Sequence, residues 1–207
     1  MSATETNRKR IQFLTKFSIL AAIEAIVCFT PLGSIPIGPI VATLGMIPVV
    51  ITAVLLGTRA GALMGFIAGL FSFIVWTFMP PSPIAFVFTP FYSIGDVSGN
   101  FYSLIICFIP RILVGVVTGL SLHMFTKNHP TFLYGISGCL GSLTNTFLVL
   151  GGIYLFFGKD YAGVIGQSYN ALLGIIGMTI LTNGIPEAII SALAAFFVGN
   201  AVKALNK

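Results

Sequence analysis

Six apolar runs, near 13–30, 40–57, 60–79, 104–125, 134–157 and 172–202, take up most of the chain and limit what it can fold into. A helix needs about 20 apolar residues to cross the hydrocarbon core of a bilayer, and each run approaches or passes that length. The connections between them leave no room for a soluble domain. Charge agrees: only 7% of the 207 residues are Asp, Glu, Lys or Arg, against about a quarter in a water-soluble domain. The expected fold is all-α, a compact bundle of six transmembrane helices making a single membrane domain over 1–207. The last run exceeds what a bilayer requires, so its ends reach the interface or its axis tilts. The first run is not read as a cleavable signal peptide, because Arg8, Lys9, Arg10 and Lys16 lead into an apolar segment too long for one, with no small-residue cleavage site after it. Segment 80–103 holds Pro80, Pro81, Pro83, Pro90, Gly95 and Gly99, which excludes an uninterrupted lipid-facing helix.

A pI near 9.3 would suggest nucleic acid in a soluble protein. Here the positions of the basic residues give another explanation. With the N-terminus inside, Arg8, Lys9, Arg10, Lys16, Arg59, Lys127, Lys203 and Lys207 all fall on the cytoplasmic side, Lys159 alone falls outside, and Arg111 falls within a span. Such asymmetry is what the positive-inside rule describes, so both termini are expected in the cytoplasm of a cell with this chain in its plasma membrane. The loops 80–103 and 158–171 then overhang the outer face. The cysteines, Cys28, Cys107 and Cys139, are odd in number and lie in apolar runs, which argues against a disulfide framework and for small buried hydrophobes.

Two small-residue patterns bear on helix packing. Gly57, Gly61, Gly65 and Gly69 recur every fourth residue, a ridge that lets a second helix approach closely. Packing inside the bundle is the favoured reading over a dimer face. Ala21 and Ala25 form an AxxxA pair in the first run, equally suited to an internal seam or to docking another membrane protein.

Catalytic chemistry has little to stand on. No phosphate-binding GxxxxGK[ST] occurs, since the only Gly-Lys pair, Gly158 and Lys159, precedes Asp160. His123 and His129 lie at the inner membrane interface, so neither a metal motif nor a Ser/His/Asp triad can be assembled. No enzyme activity, cofactor or metal is expected of the chain. What stands out is a set of costly polar groups at membrane depth. Arg111 lies roughly 10 Å into the fourth span, where a charge faces a bundle interior, a partner charge or a water-filled cavity; the alternatives are snorkelling or a structural ion pair. Pro110 before it removes one helix donor. Thr179, Asn183, Glu187 and Ser191 recur every fourth residue in the last span, and Asn145 sits mid-depth in the fifth. A lone membrane Asn more often bonds a neighbouring helix than a ligand, yet Arg111, Asn145 and Asn183 share a depth. Glu24 and Glu187 are read as structural partners, with Arg111 as the available cation. Trp76, Phe78, Phe86, Phe88, Phe91, Tyr92, Phe101 and Tyr102 crowd the outer end of the third span and the loop after it, and Tyr154, Tyr161 and Tyr169 the second outer loop. Singly these suit an interfacial belt. Together, with Trp76 and Tyr92 foremost, they also suit the wall and lid of a pocket over the polar cluster, and the cation favours a carboxylate or phosphate ligand.

The basic N-terminus leading into Ala21-Ala22-Ile23-Glu24-Ala25, the Leu55-Leu56-Gly57-Thr58-Arg59-Ala60-Gly61 to Gly69 stretch, Leu143-Thr144-Asn145-Thr146 and Asn183-Gly184-Ile185-Pro186-Glu187 resemble the S-component of an energy-coupling factor (ECF) vitamin transporter, most of all its pantothenate-specific members. The resemblance covers nearly the whole chain. It implies a six-helix membrane protein that binds a vitamin on its outer side. It also implies association with a transmembrane coupling subunit and two cytoplasmic ATPases, and toppling in the membrane to release the vitamin inside. Ala21 and Ala25 would be the family's AxxxA contact with the coupling subunit. For pantothenate, Arg111 would pair with the carboxylate while Asn145 and Asn183 bond the amide or hydroxyls. The competing reading is a self-sufficient secondary transporter or channel, homo-oligomeric through the Gly57 to Gly69 ridge. Folate, pyridoxine and hydroxymethylpyrimidine are the alternative ligands within the family, and the residues alone do not fix which is bound.

Overall fold

The computed structural model describes residues 3–33, 35–37, 40–42, 44–124 and 132–205. Lys127, His129 and Lys207, used above in reading topology and the histidines, lie outside the described residues. The chain is helical, with the order α1 (Ala3–Phe29), β1 (Ile35–Ile37), β2 (Ile40–Ala42), α2 (Met46–Leu56), α3 (Thr58–Phe78), β3 (Ser93–Ile94), β4 (Val97–Ser98), α4 (Phe101–Met124), α5 (Phe132–Val164), α6 (Leu172–Thr179) and α7 (Ile185–Leu205). A wide turn, Ile180–Gly184, joins α6 to α7, so the two make one continuous crossing. Among the described residues, five helical stretches are long and apolar enough to cross a membrane: Asn7–Phe29, Thr58–Phe78, Phe101–Met124, Phe132–Val164 and Tyr169–Ala204.

The second expected crossing, 40–57, is where the structure departs from the sequence reading. Its start belongs to an antiparallel hairpin in which Ile35 pairs with Ala42 and Ile37 with Ile40. Only the 11 residues of α2 are helical. At 1.5 Å per residue they reach about 16 Å, roughly half a hydrocarbon core. The physical reason is that Ile and Val satisfy a hydropathy scan equally well as strand or helix, while β-branching favours the strand. Gly57 then ends α2 at φ +89°, a conformation that a side chain would strain. Two further boundaries shift. The first helix begins at Ala3 rather than near 13, with Lys9 Nζ 3.5 Å from the Glu5 carboxylate one turn away. The fifth continues to Val164, absorbing the first part of the expected loop after 157.

The glycine ridge packs inside the bundle. A Cβ on Gly61 would lie 2.6 Å from that of Ala53 and 2.9 Å from the Gly115 carbonyl, one on Gly65 would collide with the Arg111 backbone, and one on Gly69 would press on Phe108. These glycines let α3 and α4 meet backbone to backbone. The seam fixes where the α4 main chain stands at Arg111.

Segment 80–103 does not simply overhang the bundle. The short helical turn Pro83–Val87 is driven into it, with Ile84, Ala85, Phe86, Val87 and Thr89 buried. Irregular backbone at such depth needs its own partners. Ser103 Oγ donates to the Phe86 carbonyl at 2.7 Å, and the Thr77 and Thr89 hydroxyls share a hydrogen bond at 2.7 Å. Gly99 lets the returning strand pass against the carbonyls of Phe86 and Thr89 where any Cβ would clash. Around this plug gathers an apolar cluster that includes Trp76, Phe86, Phe88, Ile106, Phe157 and Leu172. A second cluster, around Val49, Val50, Met64 and Val114, holds α1, α2, α3 and α4 together.

Candidate functional site

Between α3, α4, α5 and the α6–α7 crossing lies a partly open cavity of about 70 Å³, mostly apolar with a few convergent polar groups, as small-molecule sites are. Its polar lining is Arg111, Asn145, Thr146, Tyr161, Thr179, Asn183 and Glu187, and its apolar lining includes Trp76, Ile84, Phe88, Val149, Leu150 and Ile153. Arg111, Asn145 and Asn183, matched by depth in the sequence, come together here with Trp76. Tyr92 does not line the cavity; it packs against the neighbouring apolar cluster.

Arg111 is almost wholly buried, and the reason for its pose lies in its own helix. Pro110 cannot donate to the carbonyl four residues before it, which leaves the Ile106 oxygen free. Arg111 Nη1 donates to that oxygen at 3.3 Å and to the Cys107 carbonyl at 2.7 Å, while Nε donates to Ser72 Oγ on α3 at 3.2 Å. The guanidinium carbon stands 5.7 Å from the centre of the Phe88 ring, a cation–π contact, and Phe88 in turn packs on Trp76 with 4.6 Å between ring centres. The cation is thus held by main chain, hydroxyl and aromatic face.

The opposite wall is different in kind. Thr146 and Thr179 turn their hydroxyls back onto carbonyls of their own helices. Asn145 Oδ1 and both Asn183 amide atoms are buried with no hydrogen-bond partner. Leaving a buried amide atom unpaired costs about 1–3 kcal/mol, and where several such atoms face one cavity a polar ligand is the natural partner. The wide turn presents Asn183. Pro186 has no N–H to give, and the Ile185 N–H bonds five residues back to Ile180, so the helix broadens as such turns do at functional sites. Gly184 then packs on Thr146 of α5, where a Cβ would lie 2.8 Å from the Thr146 methyl.

The sequence reading counts Phe88 and Tyr161 only within the collective aromatic wall and gives Glu187 a structural role, whereas all three line the cavity. Ending the fifth span at 157 sets Tyr161 in a loop, but α5 runs on to Val164, and Phe88 is one aromatic among many in its segment. The remaining aromatics divide as a belt would: Phe78, Phe91 and Phe101 are exposed, and Tyr102 stacks on Phe156 at 4.3 Å. Ala21 and Ala25 are half-buried on α1, with Ala21 packed against the α2–α4 cluster and Ile19, Ile23 and Ile26 exposed around them.

The family model of the ECF transporter substrate-specific component matches residues 12–199. The chain belongs to this family. It is therefore the substrate-specific component of a membrane transporter, not an enzyme. Among its relatives, the S-component is 38% identical over 156 residues to the pantothenic acid transporter PanT of Lactococcus lactis subsp. cremoris, covering 75% of this chain and 74% of that one. It is also 29% identical over 203 residues to the pantothenate transporter PanT of Leuconostoc mesenteroides subsp. mesenteroides, covering 94% and 92% of the two chains.

Proposed function

We propose that this S-component binds pantothenate in the cavity around Arg111, Asn145, Asn183 and Trp76. The observation that carries the reading is the pairing of a buried, pre-positioned cation with three orphaned amide atoms across one cavity. Pantothenate carries a carboxylate for the first and hydroxyl and amide groups for the second. The names of the two relatives support the same ligand. A planar vitamin without an anionic group would leave Arg111 without its match.

In the same reading the N- and C-termini are cytoplasmic and the cavity opens to the outside of the plasma membrane, in keeping with the basic residues Arg8, Lys9, Arg10, Lys16, Arg59 and Lys203 on the opposite side. Import then depends on a transmembrane coupling subunit and two ATPases, with Ala21 and Ala25 as the contact. The glycine ridge that a homo-oligomeric transporter would need is already used between α3 and α4.

The test is thermal unfolding of the purified chain with a panel of vitamins. A ligand of the native state at 100 times its Kd stabilises it by about 2.7 kcal/mol. Pantothenate is expected to raise Tm, while folate, pyridoxine and hydroxymethylpyrimidine leave it in place; a shift by one of these three and not by pantothenate overturns the assignment.

A further inference from the structure

Beyond Glu5 near its start, α1 carries one more acidic residue, Glu24, and it is fully buried while Ile23 and Ile26 beside it are exposed. Its Oε1 accepts the Cys28 thiol hydrogen at 3.1 Å. The Cys28 sulfur meets the Ser72 hydroxyl, and Ser72 Oγ accepts from Arg111 Nε at 3.2 Å. Every link can run in one sense, from guanidinium N–H to hydroxyl, from hydroxyl to sulfur, from thiol to carboxylate. Bonds chained this way polarise one another, so a buried cation and a buried carboxylate on different helices are joined through two small side chains. One further observation favours a charge at Glu24. Gly45, the residue capping the start of α2, lies beside it, since a Cβ there would stand 3.7 Å from Oε1, and a helix N-terminus attracts an anion. The second oxygen, Oε2, is buried with no hydrogen-bond partner.

We propose that Glu24 is the resident counter-charge of Arg111 in the empty cavity and, through Cys28 and Ser72, a positioning residue that moderates how tightly the site holds an anion. The proposal rests on the reading of Arg111 as the carboxylate ligand. A cation already balanced by a carboxylate gains less from a second one, and the two carboxylates repel. Removing the first charge leaves Arg111 unbalanced until the ligand arrives, so the coupling between the two occupants is unfavourable and reciprocal. A transporter has a use for this, because cargo must also leave.

Glu24→Gln keeps the shape and the acceptor oxygen but removes the charge. In the purified full chain it is expected to bind pantothenate about fivefold more tightly or better, with affinity for pantothenol, which bears an alcohol in place of the carboxylate, unchanged. A merely structural role would move both ligands together or neither, and either result overturns the proposal, as does weaker pantothenate binding. A thermal double-mutant cycle on the ligand-free protein gives a second measurement. Glu24→Gln and Arg111→Gln are each expected to lower Tm or prevent folding, and the double variant to recover; additive losses overturn the proposal. Loss of pantothenate binding in Arg111→Gln with no effect of Glu24→Gln leaves the ligand role of Arg111 standing and overturns the counter-charge alone. Wild-type binding by Arg111→Gln overturns both.

Discussion

On one side of the cavity Arg111 donates to two carbonyls and a hydroxyl and lies over an aromatic ring, whereas on the other side Asn145 and Asn183 keep three amide atoms buried and unpaired. The cationic wall is assembled before any ligand arrives. The amide wall is left open for one. The difference separates two tasks: a pre-positioned charge supplies attraction with little ordering cost, and unpaired amides penalise any ligand that cannot bond them.

Three substitutions test that division. Arg111→Ala removes the attraction and is expected to weaken pantothenate binding in the purified protein by about 100-fold or more, since truncating one partner of a buried charge pair costs several kcal/mol; titration calorimetry that finds wild-type affinity would end the role of that wall. Asn183→Ala should weaken pantothenate by roughly tenfold, the scale of one or two hydrogen bonds. The variant should also be more stable than wild type without ligand, because two orphaned polar atoms disappear. A variant that loses ligand-free stability would mean that the amide supports the helices instead, and the contrast between the walls would collapse. Trp76→Leu keeps an apolar surface while loosening the support of Phe88 beneath the guanidinium. A fall of only a few fold is expected, and it should be larger for pantothenate than for pantothenol if the ring stack acts through Arg111.

The same contrast shows what could be read from the residues. Arg111, Asn145 and Asn183 were legible because polar groups at membrane depth are costly enough to stand out against an apolar background. The glycine ridge was legible because its period matches one face of a helix. The hairpin before α2 and the buried turn Pro83–Val87 were not, since a hydropathy scan registers apolar content and is blind to the path of the backbone. Tyr92 and Tyr161 show the cost. Their positions in presumed loops made them look equivalent, yet the extension of α5 carries Tyr161 into the cavity, while Tyr92 packs beside it. Ser72 holds Arg111 because it lies two turns beyond Gly65, on the face pressed against α4, a role that no pattern in the sequence marks.

The wide turn at Ile180–Gly184 amounts to one inserted residue in an otherwise regular crossing. Thr179 and Glu187 are eight positions apart, which in an unbroken α-helix of 3.6 residues per turn would set them about 80° apart around the axis. The extra residue takes up about 100° of that rotation and leaves them within about 20°, on the same side. Part of the binding wall is therefore encoded by length and not by residue type. Deleting one position from this turn would return the crossing to a regular α-helix with Glu187 still within about 20° of Thr179, whereas straightening the turn with all its residues kept would swing Glu187 and the rest of α7 about 100° relative to Thr179.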